Sequence, residues 1–205
     1  PEENILGEFQ EAELPEPVLN LQNLNAEEFR EAIRACKGMV LRQEIYEIDV
    51  DALTEEKHHP VKLYSTAYHN CHIQQLQAHG NNPHAVFLVT ESEAITYQYE
   101  LDLKTDTLTP DPRIAHTLNL NIDQYGHVLQ SVAVVYPRIG QHKDDSLSEK
   151  NRQLIRDVQT ETHIAYTETR YTNDVLVSDD SETENYRLRV PCESLSYEIT
   201  GISPE

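Results

Sequence analysis

The stretch RIAHTLNLNIDQYGHVLQSVAVVYP, residues 113–137, decides the fold. Leu118, Leu120 and Ile122 alternate with Asn119, Asn121 and Asp123, a period of two that belongs to an extended strand with one apolar and one polar side. The chain then turns at Gly126, and a second apolar-rich run goes from Val128 to Tyr136. Two such runs joined by a short glycine-bearing turn predict a β-hairpin.

Working outward, the same period recurs. It predicts strands over 39–50, 62–77, 84–90, 94–102, 113–123, 127–137, 158–170 and 186–199. The breaks between them read LTEEKHHP, HGNNP, ESE, KTDTLTPDP, QYGH, RIGQHKDDSLSEK and NDVLVSDDSETEN. One segment has a helical period instead. Over 25–37, Asn25 caps the first turn, Glu28 takes the reciprocal capping-box position, and Gly38 closes the end. Phe29, Ala32, Ile33 and Cys36 share one face and must pack on something apolar. A weaker pattern, with Ser146 and Glu149 as its cap, suggests a short helix over LSEKNRQLIR. Residues 1–24, rich in Glu, Pro and Asn, read as a linker or a strap laid over a neighbouring surface, and 25–205 as one β-rich unit led by the helix. The acidic run 178–184 reads as a solvated loop.

Composition narrows the function. The chain has 205 residues, 36 acidic against 16 basic, for a formal charge of −20. That charge repels phosphate backbones and anionic lipid, so no nucleic acid and no bare membrane is expected as partner. No apolar run approaches the length of a membrane helix and no signal peptide is recognisable, so a soluble segment is expected. The chain begins at Pro1 and Met39 is its one methionine, the pattern expected of a piece of a longer polypeptide.

Three cysteines, Cys36, Cys71 and Cys192, lie far apart without C-x-x-C spacing, and are expected as free thiols. Ten histidines invite a metal, and His69, Cys71 and His72 form the densest group. On a strand, however, residues three apart face opposite ways, so His69 and His72 do not converge and no metal is expected. Glu91 and Glu93, flanking the ESE break on the same side of an extended segment, are the nearest approach to a catalytic carboxylate pair; in so acidic a chain such pairs arise by chance. No G-x-S-x-G elbow and no phosphate-binding glycine loop occurs. No catalytic, cofactor-binding or metal residue is therefore expected, and no cofactor.

Six phrases, LNAEEFREAIRACKGMVLRQEIYEID (24–49), YSTAYHNCHIQQLQ (64–77), HAVFLVTESEAITYQYE (84–100), DPRIAHTLNLNIDQYGHVLQSVAVVYPR (111–138), IAYTETRYTND (164–174) and YRLRVPCESLSYEITG (186–201), together resemble the middle/C-terminal region of the B component of insecticidal toxin complexes, the Tc toxins. The resemblance runs in the family's order from about Leu14 to Gly201. In the hairpin, Asp123, Tyr125, Gly126 and Val128 match the Rhs/YD phrasing, while His127 stands where Asn is commoner. Cys36 and Cys71 stand where apolar residues or Tyr are expected.

The resemblance implies a mainly β fold of antiparallel hairpins in a curved, shell-like sheet, with one short N-terminal helix. It implies a non-enzymatic, secreted structural segment whose partners are the remainder of its own chain, the toxin C component and, indirectly, the A component. The shell encloses the cytotoxic part of the C component, and the propeller, the self-cleaving protease and the payload lie elsewhere. The residues alone also allow a rival: an autonomous acidic β-sandwich binding carbohydrate or an extracellular protein, although such faces usually rely on Trp and the chain has none.

Overall fold

The computed structural model describes residues 11, 14, 18–19, 24–54, 61–99, 111–140, 145–176 and 186–202. In chain order the elements are β1 (Val18–Leu19), α1 (Ala26–Ala35), β2 (Arg42–Ile48), α2 (Val50–Thr54), β3 (Val61–Gln77), β4 (Val86–Gln98), β5 (Arg113–Ile122), β6 (Val128–Val135), α3 (Glu149–Gln159), β7 (His163–Tyr171), β8 (Val175–Leu176), β9 (Tyr186–Arg187) and β10 (Pro191–Ile199). The fold is mainly β. One open sheet runs β3-β4-β5-β6-β7-β10, with β1 and β2 both on the outer edge of β3 and β8-β9 forming a separate ribbon. Every pairing in it is antiparallel except the short parallel contact of Val18 and Leu19 with His72 and Ile73.

The hairpin is present as β5–β6, with Leu118 opposite Val132 and Ile122 opposite Val128. Its alternation is interrupted, though, because the register shifts on either side of Asn121 and leaves Leu120 57 % exposed. An extra residue in one strand turns its side chain away from the face that periodicity assigns it. Leu120 thus does not join Leu118 in the sheet's packing.

α1 begins as its sequence dictates. The Asn25 side chain accepts from the Glu27 and Glu28 amides at 2.9 and 3.0 Å, and Glu28 Oε2 accepts from Asn25 N at 3.1 Å. At the other end Gly38 adopts φ +96°, the left-handed conformation that a helix terminus favours. Ala32 is fully buried, with Cys71 and Ile73 beneath it and Phe87 and Val89 beside them. Phe29 and Ile33 remain exposed, so only part of the predicted stripe meets the sheet.

β4 is where sequence and structure diverge most. Two strands separated by an ESE turn are expected, but one continuous strand runs from Val86 to Gln98. Glu93 pairs with Asn70 and Glu91 with Cys71, so Ser92 is the extra residue of a bulge. A bulge exchanges the two faces of a strand for everything beyond it. Phe87 and Val89 consequently pack under α1, while Ile95, Tyr97 and Tyr99 join Leu63 in a second cluster on the opposite face, where Leu14 covers them. One sheet therefore has two small cores, α1 over one and Leu14 over the other.

Other boundaries move for local reasons. β2 stops at Ile48 and α2 follows where strand to residue 50 is expected. The strand expected from 158 starts at His163, because α3 occupies the preceding residues through Gln159. The cap of α3 is Ser148, whose hydroxyl accepts from Asn151 N at 3.4 Å, rather than Ser146. Glu149 instead bonds Arg156 at 2.7 Å and Arg152 at 2.9 Å along the helix. The expected strand 186–199 is split, residues 186–187 pairing with β8 and 191–199 with β7. The expected acidic loop at 178–184, the end of the expected strand at 100–102, and His58, His59 and His142 lie outside the described residues. No helix among the described residues is long and apolar enough to cross a membrane.

Candidate functional site

The residues singled out in the sequence do not converge. His69 and His72 lie on opposite faces of β3, and His69 Nδ1 is 2.8 Å from Glu91 Oε2 across the strand pair. Glu93 bonds a different histidine, His116, at 2.7 Å, and His116 Nδ1 meets the Tyr136 hydroxyl at 3.0 Å. Because Ser92 bulges, Glu91 and Glu93 face opposite sides of the sheet, not the same side as expected; they do not form a carboxylate pair. The ESE acids serve instead as cross-strand partners of histidine. Among the described residues, no three side chains of His, Cys, Asp or Glu gather as metal ligands do.

Two polar assemblies stand out, and the sequence shows neither. On the face that Leu14 packs against, the Glu11 carboxylate accepts from the hydroxyls of Thr66, Tyr68 and Tyr99. Arg42 lies 3.9 Å away, and its guanidinium sits over the Tyr68 ring. Burial, reinforced by the Glu11 carboxylate, raises both tyrosine hydroxyls, so they stay protonated as donors. Glu11 and Leu14 thus both engage this face of the sheet.

The second assembly sits at the hairpin turn. Asp123 Oδ1 accepts from the amides of Tyr125 and His127, each at 2.9 Å, while Oδ2 meets His127 Nδ1 at 3.0 Å and Arg189 Nη1 at 3.1 Å. Burial works to raise this carboxyl, but the His127 and Tyr125 bonds outweigh it and hold it below the usual range. Arg189 continues to Asp174, donating from Nη2 at 2.9 Å and from its backbone N at 2.7 Å. Those bonds hold the Asp174 carboxyl down to about 2. The same guanidinium lies over the Tyr125 ring at 4.7 Å, and His127 stacks on Tyr171 at 4.7 Å. His127, the departure from the Rhs/YD phrasing, thus remains in the turn and uses its ring to bind Asp123 and cover Tyr171. Asp123, Tyr125 and His127 announce a turn in the sequence; nothing local announces Arg189.

The other candidate surface is the sheet itself. Among the described residues, no strand pairs with the outer edge of β2 or of β10. Apolar side chains also face outward: Ile45 and Ile48 on β2, Val50 and Leu53 on α2, Leu154 and Val158 on α3, and Val135 on β6. Open edges and outward-facing apolar residues are what an interface presents before its partner covers it.

A family model described as the insecticide toxin TcdB middle/C-terminal region matches residues 31–184, well over half of the chain. The chain belongs to this family. No curated protein matches it significantly. Three solved structures have the same fold. A crystal structure of TcdB2-TccC3-Cdc42 matches at 22 % identity over 82 % of this chain, with a TM-score of 0.57. A structure of the Photorhabdus luminescens Tc holotoxin pore, carrying a mutation in TccC3, matches at 21 % over 85 %, with a TM-score of 0.56. A crystal structure of TcdB2-TccC3-TEV matches at 23 % over 82 %, with a TM-score of 0.55. The chain spans only 7 to 8 % of the length of those chains.

Proposed function

We propose that this chain is a structural segment of the B component of an insecticidal toxin complex, and that its sheet is one panel of a hollow, Rhs/YD-like β-shell. The shell encloses the cytotoxic part of the C component before translocation. The observation that carries the reading is the open sheet, which has unpaired outer edges at β2 and β10 among the described residues. Its family, and the complexes of TcdB2 with TccC3 that share its fold, support the assignment. In this role the segment performs no reaction of its own. It works as wall, with residues 1–24 as a strap and 25–205 as the panel, inside a secreted assembly. Its partners are the rest of its own polypeptide, the C component and, through other parts of the chain, the A component. The autonomous sandwich has no support here, since a sandwich needs two stacked sheets and the second sheet described is the two-stranded β8-β9 ribbon.

The reading is tested by cryo-electron microscopy of the parent polypeptide bound to its C component. Expected is strand density from the same polypeptide beside both β2 and β10, with C-component density on one face of the sheet. A segment standing outside the wall, with solvent along both edges, refutes it.

A further inference from the structure

Cys36 and Cys71 are distant in sequence, and the docking of α1 brings them together. Cys36 caps the C-terminal end of α1, its thiol 3.7 Å from the Ala32 carbonyl, and is half-buried. Cys71 lies on β3 directly under the helix, 1 % exposed, in the cluster of Ala32 and Ile73 against which Cys36 packs. The two thiols thus share one apolar cluster between the end of α1 and β3. Cys192 takes no part; it is exposed on β10 and its thiol donates to the Arg170 carbonyl at 3.3 Å.

We propose that Cys36 and Cys71 form a redox site, closed into a disulfide that staples α1 to β3 by exchange with a small-molecule or protein disulfide. The Cys36 thiolate attacks the oxidant RSSR, giving Cys36–S–S–R and releasing RS⁻. The Cys71 thiolate then attacks the Cys36 sulfur and expels the second RS⁻. Two protein thiols lose two protons and two electrons, and RSSR becomes two RSH.

The order follows from exposure, since only Cys36 reaches solvent. Burial pushes the Cys71 thiol up to about 11, with the neighbouring Cys36 adding to the shift, so the second step waits on a scarce thiolate. The same property makes the product durable, because a dithiol whose thiolate is disfavoured gains little on reduction. Closure requires a movement that brings the two sulfurs to the roughly 2.05 Å of a disulfide. The helix end can supply it: regular helix stops at Ala35, and Gly38 reverses the chain just beyond.

The test uses the full chain, reduced and then exposed to oxidised glutathione, followed by alkylation and peptide mapping. Expected is a linked Cys36–Cys71 peptide pair, forming about tenfold faster per pH unit over the range below the Cys71 pKa. Cys71→Ser is expected to accumulate glutathione on Cys36, the stalled first step, and Cys71→Ala provides the same readout should the serine not fold. Cys36→Ser is expected to leave Cys71 reduced. Complete alkylation of both Cys36 and Cys71 after Cys192 has been glutathionylated overturns the proposal, as does a Cys71 variant that traps no adduct. Either failure leaves the wall reading untouched, since that rests on the sheet edges.

Discussion

Asp123 gives a quantitative test of how the hairpin turn is held, because its two oxygens have separate duties. Oδ1 serves two backbone amides, and Oδ2 serves the His127 ring and Arg189. Asp123→Ala removes all four acceptor contacts around a carboxylate that is only 6 % exposed. The backbone hairpin bonds, Asp123 N to the His127 carbonyl at 2.9 Å and Gly126 N to the Asp123 carbonyl at 3.0 Å, remain. With each lost bond contributing about 0.5–1.5 kcal/mol, and more for the charged one, the local cost is about 3 kcal/mol. Asp123→Asn keeps the Oδ1 acceptor and sets an NH₂ against two donors, for a cost of about 1–1.5 kcal/mol. At about 1.4 kcal/mol per factor of ten, hydrogen exchange at the Tyr125 and His127 amides should speed up about a hundredfold in the alanine variant and about tenfold in the asparagine variant. The assay is exchange mass spectrometry of peptides covering the turn in the full chain. Equal protection in all three proteins, or greater loss in asparagine than in alanine, refutes this account of the turn.

The same turn should loosen in acid. Asp174, held at about 2 against an ordinary 3.8, is lowered in the folded state, so its contribution is complete above about pH 4 and fades as pH falls toward 2; Tyr125 fluorescence or amide exchange across that window reports it. Gly126→Ala meets Thr90 and Leu88 methyls only at ordinary contact, 3.5 Å or more, so its cost is the φ of +87° alone, about 1–2 kcal/mol; a thermal shift larger than a crowded Gly126→Val produces would contradict that. Ala32→Leu inserts three heavy atoms where no space is exposed, and should destabilise the docking of α1 by about 1–3 kcal/mol, read as faster exchange across 26–36 while the β5–β6 hairpin is unaffected. Glu11→Ala leaves the Thr66, Tyr68 and Tyr99 hydroxyls without their shared acceptor, and should speed amide exchange across 63–68 and 95–99 while the β5–β6 turn is unaffected.

Local features were legible in the sequence and long-range ones were not. The capping box at Asn25 and Glu28, the hairpin at Gly126, and β3 each depend on residues within a few positions of one another, which is the range over which periodicity and caps operate. The ESE run misleads because three polar residues in a row read as a turn, whereas in β4 Glu91 and Glu93 are balanced by histidines from two different neighbouring strands and Ser92 is the bulge between them. The odd-numbered apolar residues from Phe87 to Tyr99 keep their period across that bulge, so the pattern conceals the change of face. Arg189 and Asp123 are joined only because the β5–β6 turn meets the connection between β7 and β10, a consequence of strand order that spacing does not encode. The meeting of Cys36 with Cys71 depends likewise on a tertiary contact, the docking of α1, which spacing does not encode.

β3 runs for 17 residues, from Val61 to Gln77. Its outer side receives β2 against Val61–Tyr68 running one way and β1 against His72 and Ile73 running the other, with His69 N bonded to the Leu41 carbonyl in between. The two strands share one side of β3, each in its own fixed register. Growth of the sheet past this side therefore begins from a fixed phase, and whatever strand is laid next inherits an address rather than having to find one.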